Sequence, residues 1–294
     1  MSAAPPNMEG RVCVVTGATA GLGRETALAL ARMGATLVIV ARDPVKAART
    51  REELEAIAGA RRVEVVLADF ADLHSVRAAA HRIAEQFSSV HVLVNNAGLA
   101  KKHRTLSTDG FELTFAVNHL APFLFTRELM PLLRAGAPSR IVNVASAAEA
   151  QGPIDFDDLQ STQNYRGFRV YGKTKLMNVL FTYELAARLE GTGVTANCLH
   201  PGAVATDLLR QLPRWLYALI SPFLLTPERG AATQVMLASS PSVEGVSGGY
   251  YVKGKANRSS RRSYDVEARR RLWDVSETMV SAALIRSSAA TRTK

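Results

Sequence analysis

Residues Arg11–Gly23 read RVCVVTGATAGLG. An apolar, β-branched run ends in a glycine-rich turn, and the turn opens into the amphipathic pattern of Leu22–Met33. An apolar run closed by glycine predicts a buried strand, and the following periodicity predicts a helix. Gly17 permits the tight turn. Gly21 lets backbone approach a pyrophosphate. Gly23 lets the helix pack closely on the strand. The helix N-terminus adds unpaired N–H groups and the positive end of its dipole, both of which favour phosphate. Three glycines alone mean little, but between a strand and a helix they predict a dinucleotide site.

The same alternation continues outward from this stretch. Thr36–Ala41 (TLVIVA), Val63–Ala68, His91–Asn95, Arg140–Ala145 and Val194–Leu199 predict five further strands. Helical patterns fall between them at Val45–Ala58 and Leu73–Phe87, and along Ser107–Ala135, where Pro122 is expected to bend the helix. Short, uniformly apolar strands alternating with helices argue for a parallel sheet covered on both faces. Right-handed crossovers wind such a sheet into a doubly wound α/β (Rossmann) fold. No break in composition and no internal repeat divides the chain. The expected organisation is one domain over residues 10–280, with a substrate lid around 205–226. A short arm at 1–9 and a flexible tail at 281–294 are expected to flank it.

The 294 residues are 47% hydrophobic and 21% charged, with two cysteines and a net charge of +10. Two cysteines in apolar strands, Cys13 and Cys198, make no disulfide framework and read as reduced core thiols in a cytoplasmic protein. Much of the basic excess lies between Lys253 and Arg271, which reads as a solvated face, not a nucleic-acid surface. No apolar run reaches the roughly 20 residues that cross a bilayer. The histidines show no metal-ligand spacing, so no metal is expected.

In a doubly wound sheet, ligands sit beyond the carboxyl ends of the strands. Arg42 and Lys46 follow the second strand, where the adenosine ribose is expected. An arginine there suits the 2′-phosphate of NADP, whereas Asp43 would suit the 2′-hydroxyl of NAD. NADP(H) is the expected cofactor, with NAD(H) left open. Asp69 follows the third strand and can accept from adenine, although it can also cap a helix, a task to which Asp72 is better placed. Asn96, Ala97 and Gly98 follow the fourth strand in a small-residue turn.

Ser146 follows the fifth strand, and Tyr171 and Lys175 stand four residues apart on the next helix. A free phenol has a pKa near 10, too high for a base at neutral pH. An ammonium one helical turn away favours the phenolate. Ser146 can orient a substrate oxygen, and Asn118 can anchor a water that relays protons past Lys175. Each residue alone has a bland reading as a cap, a snorkelling lysine or a buried amide. Together, in this order, they suit proton transfer coupled to hydride transfer.

TGATAGLG, NNAG, VNHLAPF, Ser146, YGKTK and His200-Pro-Gly202 occur in the order of the short-chain dehydrogenase/reductase family, which the chain resembles from about Gly10 to Glu277. ARDPVKA, IDFDDL (Ile154–Leu159), VYGKTKLMNVLF and LHPGAVATDL are similar to its retinol dehydrogenase-like branch. The resemblance implies an NAD(P)-dependent oxidoreductase acting on a lipophilic carbonyl or alcohol. It makes Tyr171 the acid/base, Lys175 the group that lowers its pKa, Ser146 the carbonyl holder and Asn118 the end of the relay. It also implies cofactor contacts from Thr19, Leu22 and Phe70 in the early turns, and from Pro201, Gly202, Val204 and Thr206 after the sixth strand. Leu208–Leu225 reads as an apolar lid, with peripheral membrane contact as an alternative role. A homodimer is left open. The competing reading is a non-catalytic dinucleotide-sensing or interaction protein on the same fold.

Overall fold

A computed structural model describes residues 6–58, 63–202 and 224–291. Strands β1 (Val12–Thr16), β2 (Thr36–Ala41), β3 (Val63–Leu67), β4 (Val92–Asn95), β5 (Ser139–Val144), β6 (Val194–His200), β7 (Tyr250–Val252) and β8 (Lys255–Asn257) form one sheet in the order 3-2-1-4-5-6-7-8. Every pairing is parallel except β7–β8. The register aligns the carboxyl ends: Thr16 lies beside Val40, Asn95 beside Asn143, and Val144 beside Leu199. The strand order reverses between β1 and β4, so a crevice opens beyond Thr16 and Asn95.

Helices α1 (Gly21–Arg32), α2 (Pro44–Ala58) and, later in the chain, α7 (Pro227–Ser239) cover one face. The other face carries α3 (Leu73–Gln86), the single turn α4 (Leu113–Phe115), α5 (Ala121–Ala135), α6 (Gly167–Arg188) and α8 (Val266–Thr291). Both layers are apolar where they meet the sheet, and this explains the unbroken apolar runs of β1, β2 and β4. Cys13 and Cys198 are buried free thiols.

Three expectations need correction. The helix expected over Ser107–Ala135 is interrupted. Leu106 bridges Glu112, α4 starts only at Leu113, and Ala116–Leu120 forms a π-turn before α5. There Ala121 N–H returns to the Ala116 carbonyl, five residues back. Pro122 has no N–H, and its ring would crowd the Asn118 carbonyl in a continuous α-helix. The chain therefore widens instead of bending.

The expected flexible tail from 281 is instead part of α8, which runs to Thr291 and buries Val280, Ala283 and Leu284. Trp273 packs edge-on to Phe123 at 5.0 Å and stacks on Phe181 at 5.9 Å. The basic segment is also partly tied down. Arg269 pairs with buried Glu184 at 3.1 Å, and Arg271 lies over Phe156 at 4.5 Å. Finally, the sheet gains two short strands that no apolar run announces, β7 and β8, joined by the two-residue turn of Lys253 (φ 50°) and Gly254 (φ 73°).

Candidate active site

The phosphate end is built from backbone. Gly17 and Gly21 have φ of 66° and 51°, the left-handed region where side chains are strained. A Cβ on Gly23 would lie 2.4 Å from the Gly17 carbonyl and from Asn96 Nδ2, so only glycine fits. The α1 N-cap, Ala20, offers no side-chain hydrogen bond, leaving the first-turn N–H groups to another acceptor. Thr16 Oγ1 accepts from the N–H groups of Asn96 and Ala97, both at 3.0 Å, and Asn96 Nδ2 donates to the Thr16 carbonyl at 2.9 Å. Asn96 thus braces the turn from β4. A bare, braced loop leading to an uncapped helix fits a pyrophosphate, and Thr19 and Leu22 flank it partly exposed.

Beyond β2, Asp43 caps α2: its Oδ1 accepts from Val45 N–H at 3.0 Å and Lys46 N–H at 3.1 Å. Arg42 and Lys46 are exposed. Asp72, as expected, caps α3 by accepting from His74 and Ser75. Asp69 closes a small turn onto Ala71 N–H at 2.9 Å and remains half-buried. Phe70 departs from expectation. Its ring is buried 5.7 Å from that of Phe125, so its side chain belongs to the core and not to a cofactor surface.

At the other end, α6 brings Tyr171 and Lys175 to the exit of β5. Lys175 Nζ donates to the Val144 carbonyl at 2.9 Å and lies 5.5 Å from the Tyr171 ring centroid. Ser146 follows β5, accepts from Ala148 N–H at 3.3 Å and lies near the Tyr171 hydroxyl. The π-turn carries Asn118. Its Oδ1 accepts from Leu99 N–H at 2.8 Å, and its Nδ2 donates to the Leu99 carbonyl at 2.8 Å and to Thr174 Oγ1 at 3.0 Å. Gly98 completes the cluster: a Cβ there would approach Asn118 Oδ1 to 3.2 Å and Lys175 Nζ to 3.5 Å. Ser146, Tyr171, Lys175 and Asn118 therefore converge on one face of the crevice.

The electrostatics differ from expectation in one respect. Burial raises the Tyr171 pKa above the usual phenol value, and the nearby Ser146 hydroxyl only partly opposes this. Lys175, itself buried, is pushed down to about 8. Its ammonium is directed at the Val144 carbonyl, so it does not yield the net depression of Tyr171 that the four-residue spacing suggests. The Asn118 amide clamps the π-turn: both of its N–H donors go to Leu99 and Thr174, while its Oδ1 accepts from Leu99 N–H and keeps a second lone pair. Thr174 and the Leu99 backbone were not anticipated, because neither carries a signal until the fold juxtaposes them.

Residues 11–216 match the family model described as short chain dehydrogenase. The chain is a short-chain dehydrogenase. This short-chain dehydrogenase is 44% identical to mouse retinol dehydrogenase 14, over 94% of its own length and 87% of the relative. Human retinol dehydrogenase 12 is 42% identical over 92% of this chain and 86% of its own. Among solved structures, a putative uncharacterized protein from Mycobacterium paratuberculosis superposes with a TM-score of 0.78, at 32% identity, covering 95% of this chain and 96% of that one. The Pseudomonas aeruginosa RhlG/NADP active-site complex aligns with a TM-score of 0.69 and 26% identity over 84% of this chain and 96% of that chain.

The dehydrogenase therefore belongs to the retinol dehydrogenase-like branch and is an NAD(P)-dependent oxidoreductase acting on alcohols or carbonyls. Pro201 and Gly202 stand at the exit of β6, where Gly202 has φ 90° and Leu225 closes against it. Val204 and Thr206, and nearly all of the segment expected to form the lid, lie outside the described residues. No described helix is long and apolar enough to cross a membrane.

Proposed function

We propose that this enzyme interconverts lipophilic aldehydes or ketones and their alcohols, with NADP(H) as the preferred cofactor. One observation carries the cofactor preference. Asp43, the residue that could serve NAD, is held by the backbone of α2, while Arg42 and Lys46 stay exposed beside it. A planar guanidinium suits a 2′-phosphate, and a second cation one helical turn on adds charge. The lipophilic substrate class is supported by similarity to proteins named for retinol, a lipophilic alcohol.

When bound, the nicotinamide supplies or accepts the hydride. Ser146 orients the substrate oxygen. Tyr171 donates its proton to that oxygen in reduction and takes it back in oxidation. Lys175 provides positive charge beside the phenol, and Asn118 holds Leu99 and α6 in register through Thr174. With its pKa raised by burial, the phenol holds the proton that it donates when a carbonyl is reduced.

The test is cofactor kinetics on Arg42→Ala with a lipophilic aldehyde. Loss of a charged hydrogen bond costs about 1.5–3 kcal/mol, so kcat/KM with NADPH should fall by roughly ten- to a hundredfold while NADH kinetics change little. Equal losses with both cofactors would show that Arg42 does not read the 2′-phosphate. Tyr171→Phe should abolish turnover and spare NADPH binding.

A further inference from the structure

Beside the active-site crevice the chain leaves Leu99, the partner of Asn118, and runs out through Lys101, Lys102, His103 and Arg104. This strip lies directly against the start of α6. The Lys101 carbonyl accepts from Tyr165 Oη at 3.2 Å, and a Cβ on Gly167 would come within 2.2 Å of the same oxygen. Arg166 and Arg169 flank Gly167, so five permanent cations from two segments meet at one surface. All but Arg104 are exposed, and none has an ion-pair partner among the described residues. Elsewhere arginines do find acids: Arg24 with Glu53, Arg127 with Glu277, Arg188 and Arg269 with Glu184.

Two large apolar side chains stand among these cations in water. Phe168 is 62% exposed and Leu106 is 54% exposed. Leu106 bridges Glu112, whose carboxylate accepts from Tyr165 at 3.1 Å, three residues before Phe168. The patch is therefore continuous from the Lys101 strip through Tyr165 to α6.

Unpaired like charges and bare apolar side chains are both unfavourable in water, and one kind of surface relieves both. At an anionic bilayer the phenylalanine and leucine enter the headgroup–acyl boundary, and Lys and Arg stems extend to lipid phosphates. A nucleic-acid surface would call for several stacking aromatics, whereas this patch exposes one. Position decides the occupant further. Lys101 is two residues beyond Leu99, which holds Asn118, and Phe168 stands one helical turn before Tyr171 on the same side of α6, so the patch borders the crevice. We propose that this surface docks on an anionic phospholipid membrane and opens the crevice toward substrate dissolved in the lipid. The delivery half of this inference rests on the lipophilic-substrate reading above; the docking half does not.

Co-sedimentation of the whole chain with vesicles separates the two. Vesicles of phosphatidylcholine mixed with phosphatidylserine should capture the protein, phosphatidylcholine alone should capture little, and added salt should release it. Each basic residue near such a surface is worth about a fivefold change in affinity, so the double variant Lys101→Gln, Lys102→Gln should bind roughly thirtyfold more weakly. Its turnover of a water-soluble carbonyl should match the parent. Phe168→Ser should weaken capture at every salt concentration. Tyr171→Phe should bind vesicles like the parent, so failure of the proposed chemistry and failure of docking read out separately. Equal capture by both vesicle types would overturn the proposal, as would undiminished capture of the double lysine variant. Selective loss of single-stranded nucleic-acid binding, or of affinity for a soluble anionic carbonyl, with vesicle capture intact would overturn it too.

Discussion

Lys175 shows how far a residue's chemistry depends on surroundings that its spacing cannot reveal. Tyr171 and Lys175 were legible as a pair because four residues make one helical turn. That the ammonium would be buried beneath Val144 was not legible, since it needs β5 packed against α6. The consequence is measurable. Below pH 8 the lysine is protonated in both the folded and unfolded chains, and the folded state bears the full cost of a buried charge. Between about 8 and the ordinary 10.5 the unfolded chain holds a proton that the folded chain has shed, so stability rises with pH across that window. Lys175→Met should therefore be more stable than the parent at pH 7, by at most about 3 kcal/mol. The advantage should shrink as pH climbs through the window, while activity is lost. Urea melts at pH 7 and pH 10 check this, and a gap that does not change with pH would rule it out.

His119 behaves in the opposite pH range. Its ring stacks on Phe115 at 5.8 Å, its Nε2 meets Ser276 Oγ at 2.8 Å, and burial pushes its pKa down to about 3. The unfolded chain takes up a proton here near pH 6.5 that the folded chain refuses, so stability falls as pH drops below that point. His119→Phe keeps a ring in place and should flatten the acid limb of a stability–pH curve. An unchanged limb would place the acid sensitivity elsewhere.

At the scale of elements, β1–turn–α1 was legible almost residue for residue, because glycine, apolar run and helical period agree. The Asn118 segment was not, because apolar periodicity cannot tell an α-turn from a π-turn. Pro122 was the available signal, and it marks widening instead of bending. The link between Ser146 and α6 was equally hidden. It contains Ser161 and Asn164 at φ 48°, and Lys173 holds it by donating to the Leu159 carbonyl at 2.7 Å and Ser161 Oγ at 2.6 Å. Fully buried Glu112 grips the same link by accepting from Tyr165, and its N–H donates to Gln160 Oε1 at 3.1 Å. Lys173→Met leaves those acceptors unpaired and should cost about 1–3 kcal/mol of stability. It should also lower kcat more than it raises KM, since the link joins Ser146 to the helix of Tyr171. Gly23→Ala makes a complementary test. Its Cβ cannot fit beside the Gly17 carbonyl, so cofactor affinity and Tm should fall together in thermal melts with and without NADPH.

At the scale of the whole molecule, the doubly wound sheet follows from the alternation of apolar strands and amphipathic helices. Its closing elements do not, because β7 and β8 are three residues each and α8 is masked by its arginines. Yet α8 completes the core on the face that carries the site. Trp273 fills the space between Phe123 and Phe181, and Ser276 reaches His119 across 157 residues of sequence. A chain ending before Val266 should expose those rings, and would be expected to remain in inclusion bodies or bind a hydrophobic dye strongly.

That contact also bears on how the protein is made. The residue next to Asn118 waits for a partner that leaves the ribosome 157 residues after it. Glycine turn, sheet and tyrosine helix can all emerge and begin to collapse while that cradle is still unfinished. The nascent chain should thus gain its oxidoreductase competence only once Ser276 has emerged and docked, and products terminated before it should be inert.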